Sequence, residues 1–179
     1  NDAFVAKFNS RGTRLFGTYL GGTEYENSYS VNCDSSNNIY VCGATRSTNF
    51  PIAGAAYQSS FTANQDGFIA KLDPLGVLSW ATYYGGTGFD HISAVAVDKN
   101  GALVFGGSTF GSQTGLASPG AFQTTGALDA IVGKFSSTGT RLWATYLGGP
   151  VNKFRPDYVT GIVVGPQNQV IVVGDTYAE

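Results

Sequence analysis

The stretch TYLGG at Thr18, Tyr19, Leu20, Gly21 and Gly22 returns as TYYGG at Thr82, Tyr83, Tyr84, Gly85 and Gly86, and again as TYLGG at Thr145, Tyr146, Leu147, Gly148 and Gly149. The steps, 18 to 82 and 82 to 145, are 64 and 63 residues. DAFVAK at 2–7, DGFIAK at 66–71 and DAIVGK at 129–134 keep the same steps. A third phrase, VNCDSSNNIYVCGAT at 31–45, matches VAVDKNGALVFGGST at 95–109 and, less closely, VVGPQNQVIVVGDT at 163–176. Self-similarity at a fixed period marks a repeat architecture. The chain therefore reads as one region, 1–179, made of three copies of one unit over 1–65, 66–128 and 129–179.

Each unit predicts four strands. In the first copy they are AFVAKF, RLFGTYL, YSVNC and IYVCGAT. Tight turns such as NSRG at 9–12 and DSSN at 34–37 join them pairwise, and the Gly-Gly closes the second strand. In the corresponding turn of the second copy, DKNG at 98–101, Asp98 can accept from the backbone two residues on while Gly101 takes the left-handed position. Val95, Val97, Ala94, Ala96 and Val104 leave neither face of the sheet polar. A sheet buried on both faces must lie between other sheets, so the units are expected to stack.

Radial stacking of four-stranded units is a β-propeller. The DAFVAK, TYLGG and Asp-turn phrases resemble the seven-bladed β-propeller repeat (SBBP repeat) family over essentially the whole chain. FPIAGAAYQ at 50–58 and ASPGAFQ at 117–123 resemble that family's Phe-Pro and Pro-Gly-Ala-Tyr-Gln segment. The resemblance implies an all-β propeller of four-stranded antiparallel blades, each ordered third, fourth, first, second strand of the unit. The chain would then begin with the outer half of a blade, complete two blades, and end with the inner half of another. Three units fall short of the roughly 4 to 8 blades of closed propellers. The ring is expected to be completed by further segments of a longer chain or by other subunits or copies of this one, two copies giving six blades. The third copy departs from the pattern, with Gly165 where the others have Asp34 and Asp98. It also runs 20 residues from Thr145 to that position, against 16 from Thr18 to Asp34.

Composition narrows the functional classes. Charged residues are 12% of the chain, against an average near 25%, while Gly numbers 25, Tyr 10 and Phe 12. The net charge of −2 comes without a basic cluster, so nucleic acid is a poor partner. No run of about 18 apolar residues predicts a membrane span, and NDAFVAKF has no signal-peptide pattern. The absence of Met suggests a processed product or a piece of something longer. An extracellular, cell-surface or periplasmic location in a bacterium follows from the resemblance together with the low-charge composition.

The connections opposite the tight turns are long: 46–65 and 110–128 within a blade, and 23–28, 87–92 and 150–159 after Gly-Gly. Function concentrates in loops held by a rigid scaffold, so ligand contacts are expected there. Glu24, Tyr25, Glu26, Phe89, Asp90, His91 and Asp157 are the candidate ligand-binding residues. Converging carboxylates could hold a cation or serve a hydrolase. The ordinary reading of acidic loop residues, solubilising groups, is preferred, since no calcium-loop phrase occurs. His91 is the sole histidine and builds neither a zinc site nor a Ser-His-Asp set by itself. DPLGVLSW at 73–80 and SSTGTRLW at 136–143 resemble the Asp-box of sialidase propellers, but with one residue too many between the first residue and Gly. No cofactor or metal is implied.

Tyr57 and Phe122 recur at matching positions and are expected to pack their loops against their own blades, while Tyr25 and Phe89 are open to a ligand. Cys33 should face Ile39, with Cys42 on the opposite side of the sheet. The two cysteines are expected to act as small buried apolar groups rather than as a disulfide. The reading reached from sequence is a non-catalytic scaffold for protein or ligand interaction. A carbohydrate-binding module, and a hydrolase or lyase with a site built across blades, are the alternatives.

Overall fold

The computed structural model describes residues 1–111, 115–149 and 155–177. Those residues form twelve β-strands and no helix, so no helix is long and apolar enough to cross a membrane. Strands β1 (Ala3–Phe8) and β2 (Arg14–Leu20) make an antiparallel pair. Strands β3 (Glu26–Cys33), β4 (Ile39–Thr45), β5 (Asp66–Leu72) and β6 (Leu78–Tyr84) make a first antiparallel sheet in that order. Strands β7 (His91–Val97), β8 (Leu103–Ser108), β9 (Ala130–Phe135) and β10 (Arg141–Leu147) make a second. The last pair is β11 (Tyr158–Val164) and β12 (Val170–Asp175). The order within each sheet is third, fourth, first, second strand of the unit. No closed ring is formed by the described residues.

The repeat extends to irregularities of register. Register shifts fall at Ser28/Ser30, Ile92/Ala94 and Val159/Gly161, the same place in β3, β7 and β11. Such bulges sharpen the local twist of a strand. The first strand of each sheet also starts earlier than the apolar alternation indicates, so Glu26 and His91 open β3 and β7 instead of lying in loops.

All three β3–β4-type turns share one backbone. Asp98 N donates to Ala102 O and Gly101, at φ 75°, donates to Asp98 O; Asp98 Oδ1 accepts from Asn100 N and Ala102 N at 2.8 and 2.9 Å. Asn37 and Asn168 occupy the left-handed position in the other two copies. At the turn of Gly165, which has no carboxylate to offer, Gln169 Oε1 accepts from Gln167 N at 3.1 Å.

Three apolar layers hold the sheets. One, with Tyr40, Ile69, Tyr84, Val95, Phe105 and Phe135, lies between the two four-stranded sheets. A second joins the β1–β2 pair to the first sheet, and a third joins the second sheet to β11–β12. The repeated Tyr and its neighbour point to opposite sides, as their alternation requires. Tyr83 Oη donates to Ser47 O and accepts from Phe50 N in the loop of its own sheet, whereas Tyr84 Oη donates to Leu116 O in the loop of the next. Tyr19, which no such loop covers, is 79% exposed.

Two packing expectations are corrected. Cys33 pairs with Ile39 and forms no disulfide, but its thiol is exposed, because its face of β3 borders an open groove beside β1. Only Cys42 is the small buried group expected. Phe122 is 87% exposed, and Tyr57 packs across to the second sheet as well as against its own.

Candidate functional site: the long-loop face

The Gly-Gly turns are built by carboxylates. Glu26 Oε2 accepts from Gly22 N at 3.1 Å, and Asp90 Oδ2 accepts from Gly86 N at 2.7 Å. Their other oxygens accept from Thr45 Oγ1 at 2.6 Å and from Phe110 N at 3.1 Å. Asp157, at the corresponding place, is buried and accepts from Tyr177 N at 3.0 Å. Two of the candidate binding residues, Glu26 and Asp90, are therefore buried clamps that fold the chain back after a strand pair, and the third, Asp157, is buried beside its Gly-Gly turn. The first residue of DAFVAK and its repeats adds a second carboxylate to each clamp. Asp2 and Glu26 flank Gly21, Asp66 and Asp90 flank Gly85, and Asp129 and Asp157 flank Gly148.

Gln58 and Gln123, which sequence reasoning passed over, tie the long loops to these turns. Gln58 N donates to Thr82 Oγ1, Tyr83 N donates to Gln58 O, and Gly85 N donates to Gln58 Oε1 at 3.0 Å. Gln58 Nε2 then donates to Asp66 Oδ2 at 3.0 Å. Gln123 repeats the first three bonds with Thr145, Tyr146 and Gly148. The signal was present in the shared last letter of AAYQ and GAFQ. Thr-Tyr-x-Gly-Gly is thus the strip on which the preceding loop docks.

The Asp66–Asp90 pair has unusual electrostatics. Asp66 Oδ1 is buried without a hydrogen-bond partner. Burial pushes the Asp66 carboxyl up to about 7, with the charge of Asp90 adding to the effect against hydrogen bonds from Thr62 and Gln58. Burial likewise raises Asp90 to about 6 against the amides of Gly86 and Phe110. A proton held by Asp66 removes the like-charge repulsion with Asp90. Among the described residues no group of three His, Cys, Asp or Glu side chains is placed to hold a metal ion.

The remaining candidates stay at the surface. Glu24 is exposed, its amide donating to Ser47 Oγ. Tyr25 and Phe89, 54% and 46% exposed, are brought together by Arg46, whose amide donates to Tyr25 O and whose guanidinium carbon lies 5.9 Å from the Phe89 ring centroid. His91 sits among rings from three sheets: Tyr29 on β3 at 5.8 Å, Tyr158 on β11 at 5.9 Å and Phe110 at 6.3 Å between centroids. Burial holds its imidazole below the ordinary value. Tyr177, capped by Arg155, extends the cluster from Tyr158. The expected connection 150–159 falls partly on residues 150–154, outside the described residues, and so does part of 110–128.

No family model matches the chain. Among curated proteins it is similar to the regulatory protein FlaEY of Caulobacter vibrioides, 26% identical over 173 residues, which is 96% of this chain and 18% of that protein. The chain spans less than a fifth of the curated relative it matches.

Proposed function

We propose that the chain is a stretch of β-propeller of the seven-bladed repeat kind that serves as a non-catalytic binding scaffold outside the bacterial cytoplasm, presenting its long-loop face to a protein or glycan. One observation carries the reading. The buried carboxylates of Glu26 and Asp90, which an enzyme would need free, hold Gly-Gly turns, whereas rings from successive sheets gather at the surface around His91. Rigid aromatic faces supply contact area at small entropic cost. That the Caulobacter relative is a regulatory protein is in keeping with a role in binding.

Carbohydrate is the second reading, favoured by the half-exposed Tyr29 and Tyr177 at the edges of the ring cluster. A glycan array probed with the chain and with a Tyr29→Ala, Tyr158→Ala double variant separates the two. Signals that drop about tenfold in the variant, a loss of about 1.4 kcal/mol, select sugar. Failure of every glycan to bind selects a protein ligand. Turnover of a glycan that Asp90→Asn abolishes would overturn the scaffold reading.

A further inference from the structure

At the tight-turn end of the strands, opposite the long loops, a polar pocket of about 330 Å³ lies between the two four-stranded sheets. Ser35 and Ser36 of the β3–β4 turn and Lys71 of β5 line one side. Lys99 and Asn100 of the β7–β8 turn and Ser137 of the turn after β9 line the other. Both of these sheets have all four strands.

Lys71 and Lys134 hold the same place in their units and have different surroundings. Lys134 Nζ lies 2.7 Å from Asp98 Oδ2 in its own sheet, where Ala102 and Val104 offer no competing side-chain donor. In the first sheet Asn38 and Tyr40 stand where the second has Ala102 and Val104. Asn38 Nδ2 donates to Asp34 Oδ2 at 2.8 Å, and Tyr40 Oη lies 3.2 Å from the same oxygen. Asp34 Oδ1 accepts from the amides of Ser36 and Asn38, each at 2.9 Å. The acid is therefore filled, and Lys71 pairs elsewhere. Its Nζ crosses to the next sheet and donates to Ser137 O at 3.0 Å, while standing 5.2 Å from the Tyr40 ring centroid. Trp80 Nε1 donates to the same carbonyl at 3.2 Å and fixes it in place.

The half-buried Lys71 ammonium thus has a carbonyl and a ring face, and no carboxylate among the described residues. A partly buried charge without a counter-charge is costly, and an anion offsets that cost. Lys99, exposed on the adjacent turn, adds a second positive charge. Against the two stands the single carboxylate of Asp34, whose oxygens are already occupied by four donors.

We propose that this pocket binds a tetrahedral oxyanion, phosphate or sulfate, with Lys71 and Lys99 as its charge partners and the hydroxyls of Ser35, Ser36 and Ser137 as further donors. An ammonium has three N–H groups, so Lys71 keeps two beyond its bond to Ser137 O. Bonds from a charged donor to an oxyanion are roughly twice as strong as neutral ones. The site stands apart from the long-loop reading, because it lies at the other end of the strands and uses none of the rings around His91.

The test is amide NMR of the isotope-labelled chain titrated with inorganic phosphate, inorganic sulfate and glucose 6-phosphate. Sodium chloride is lowered in step to hold the ionic strength, since screening alone affects exposed charges. Shifts confined to the two turns, Lys71 and Ser137 are expected, saturating with a dissociation constant of about 1 mM, the strength of two or three charge-assisted bonds. Lys71→Gln should weaken binding about tenfold, and so should Lys99→Gln, which alters an exposed side chain and leaves the fold intact. Arg11→Gln, which removes a positive charge from an exposed turn outside the pocket, should leave it unchanged. Tighter binding of glucose 6-phosphate than of inorganic phosphate assigns the oxyanion to a larger ligand, and no tighter binding assigns it to the free ion; both support the site. No saturation up to about 50 mM overturns the proposal. Shifts spread over every exposed lysine, or an affinity indifferent to both lysine variants, overturn it as well.

Discussion

Asp66 and Asp90 meet at Gly85: a β-carbon at position 85 would stand 2.7 Å from Asp66 Oδ1 and 2.8 Å from Asp90 Oδ2. The first glycine of the repeated pair is thus required by two converging carboxylates. Gly85→Ala should destabilise the chain by about 1–3 kcal/mol, as overpacking of a buried site does. Gly12→Ala, at an open turn with φ 79°, tests a different cost, backbone strain alone. Equal urea midpoints for Gly85→Ala and wild type would rule out the carboxylate account.

The same pair makes stability depend on pH. Asp66 binds its proton more tightly folded, at about 7, than unfolded, at about 3.9, so its contribution is full below pH ~4 and fades as pH rises through 7. Asp90 acts in the same direction. Asp34 and Asp98 are held low, so their contribution fades as pH falls below ~4, and that of His91 fades as pH falls through its unfolded value near 6.5. Asp66→Asn keeps this position uncharged at every pH. Its stability relative to wild type should improve from pH 4 to 8, by at most about 1.4 kcal/mol per pH unit for the proton concerned. A difference that is flat across this range would show that Asp66 holds no proton.

Gln58→Ala leaves the Gly85 amide and Asp66 Oδ2 each short of a partner, a loss of about 1–3 kcal/mol. Gln123→Ala should cost less, because its bond to Gly148 is solvent-exposed and longer, at 3.2 Å. Chemical denaturation of both variants checks the ranking, and the reverse order would contradict it.

Gly165→Asp restores the carboxylate that organises the other two turns. The backbone there is open to an L side chain, and the nearest atom to a new β-carbon, at 2.8 Å, is Gln169 Oε1 at the end of a flexible chain. A gain of about 0.5–1 kcal/mol is expected on thermal unfolding. A loss would mean that Gln169 cannot swing aside.

Thiol titration should count one fast-reacting cysteine in the native chain and two after denaturation. Cys33 is exposed, whereas burial pushes the Cys42 thiol far above its ordinary range. Two fast thiols, or none, would contradict the register of β3 and β4.

The strands and turns were legible because their signals are local. Alternation, an Asp three residues before a left-handed Gly or Asn, and a phrase recurring at 64 and 63 residues need only neighbours in sequence. The binding candidates were read less well. Glu26, Asp90 and Asp157 were placed after Gly-Gly correctly, but whether a carboxylate there faces solvent or returns to the glycine amide depends on where the chain bends. The early start of β3 and β7 sets that bend. Gln58 and Gln123 were visible as a repeated letter, without anything in the spacing to say that their partner is a glycine some 25 residues on.

Sequence by itself determined the unit, its strand pairs and its turn chemistry, because backbone preference and alternation act over a few residues. Tertiary structure alone decided which repeated side chains are buried. Tyr83 is buried and Tyr19 exposed, and Tyr57 is partly covered where Phe122 is exposed, although each pair holds the same place in its units, since burial depends on whether a neighbouring sheet or loop is there to cover them.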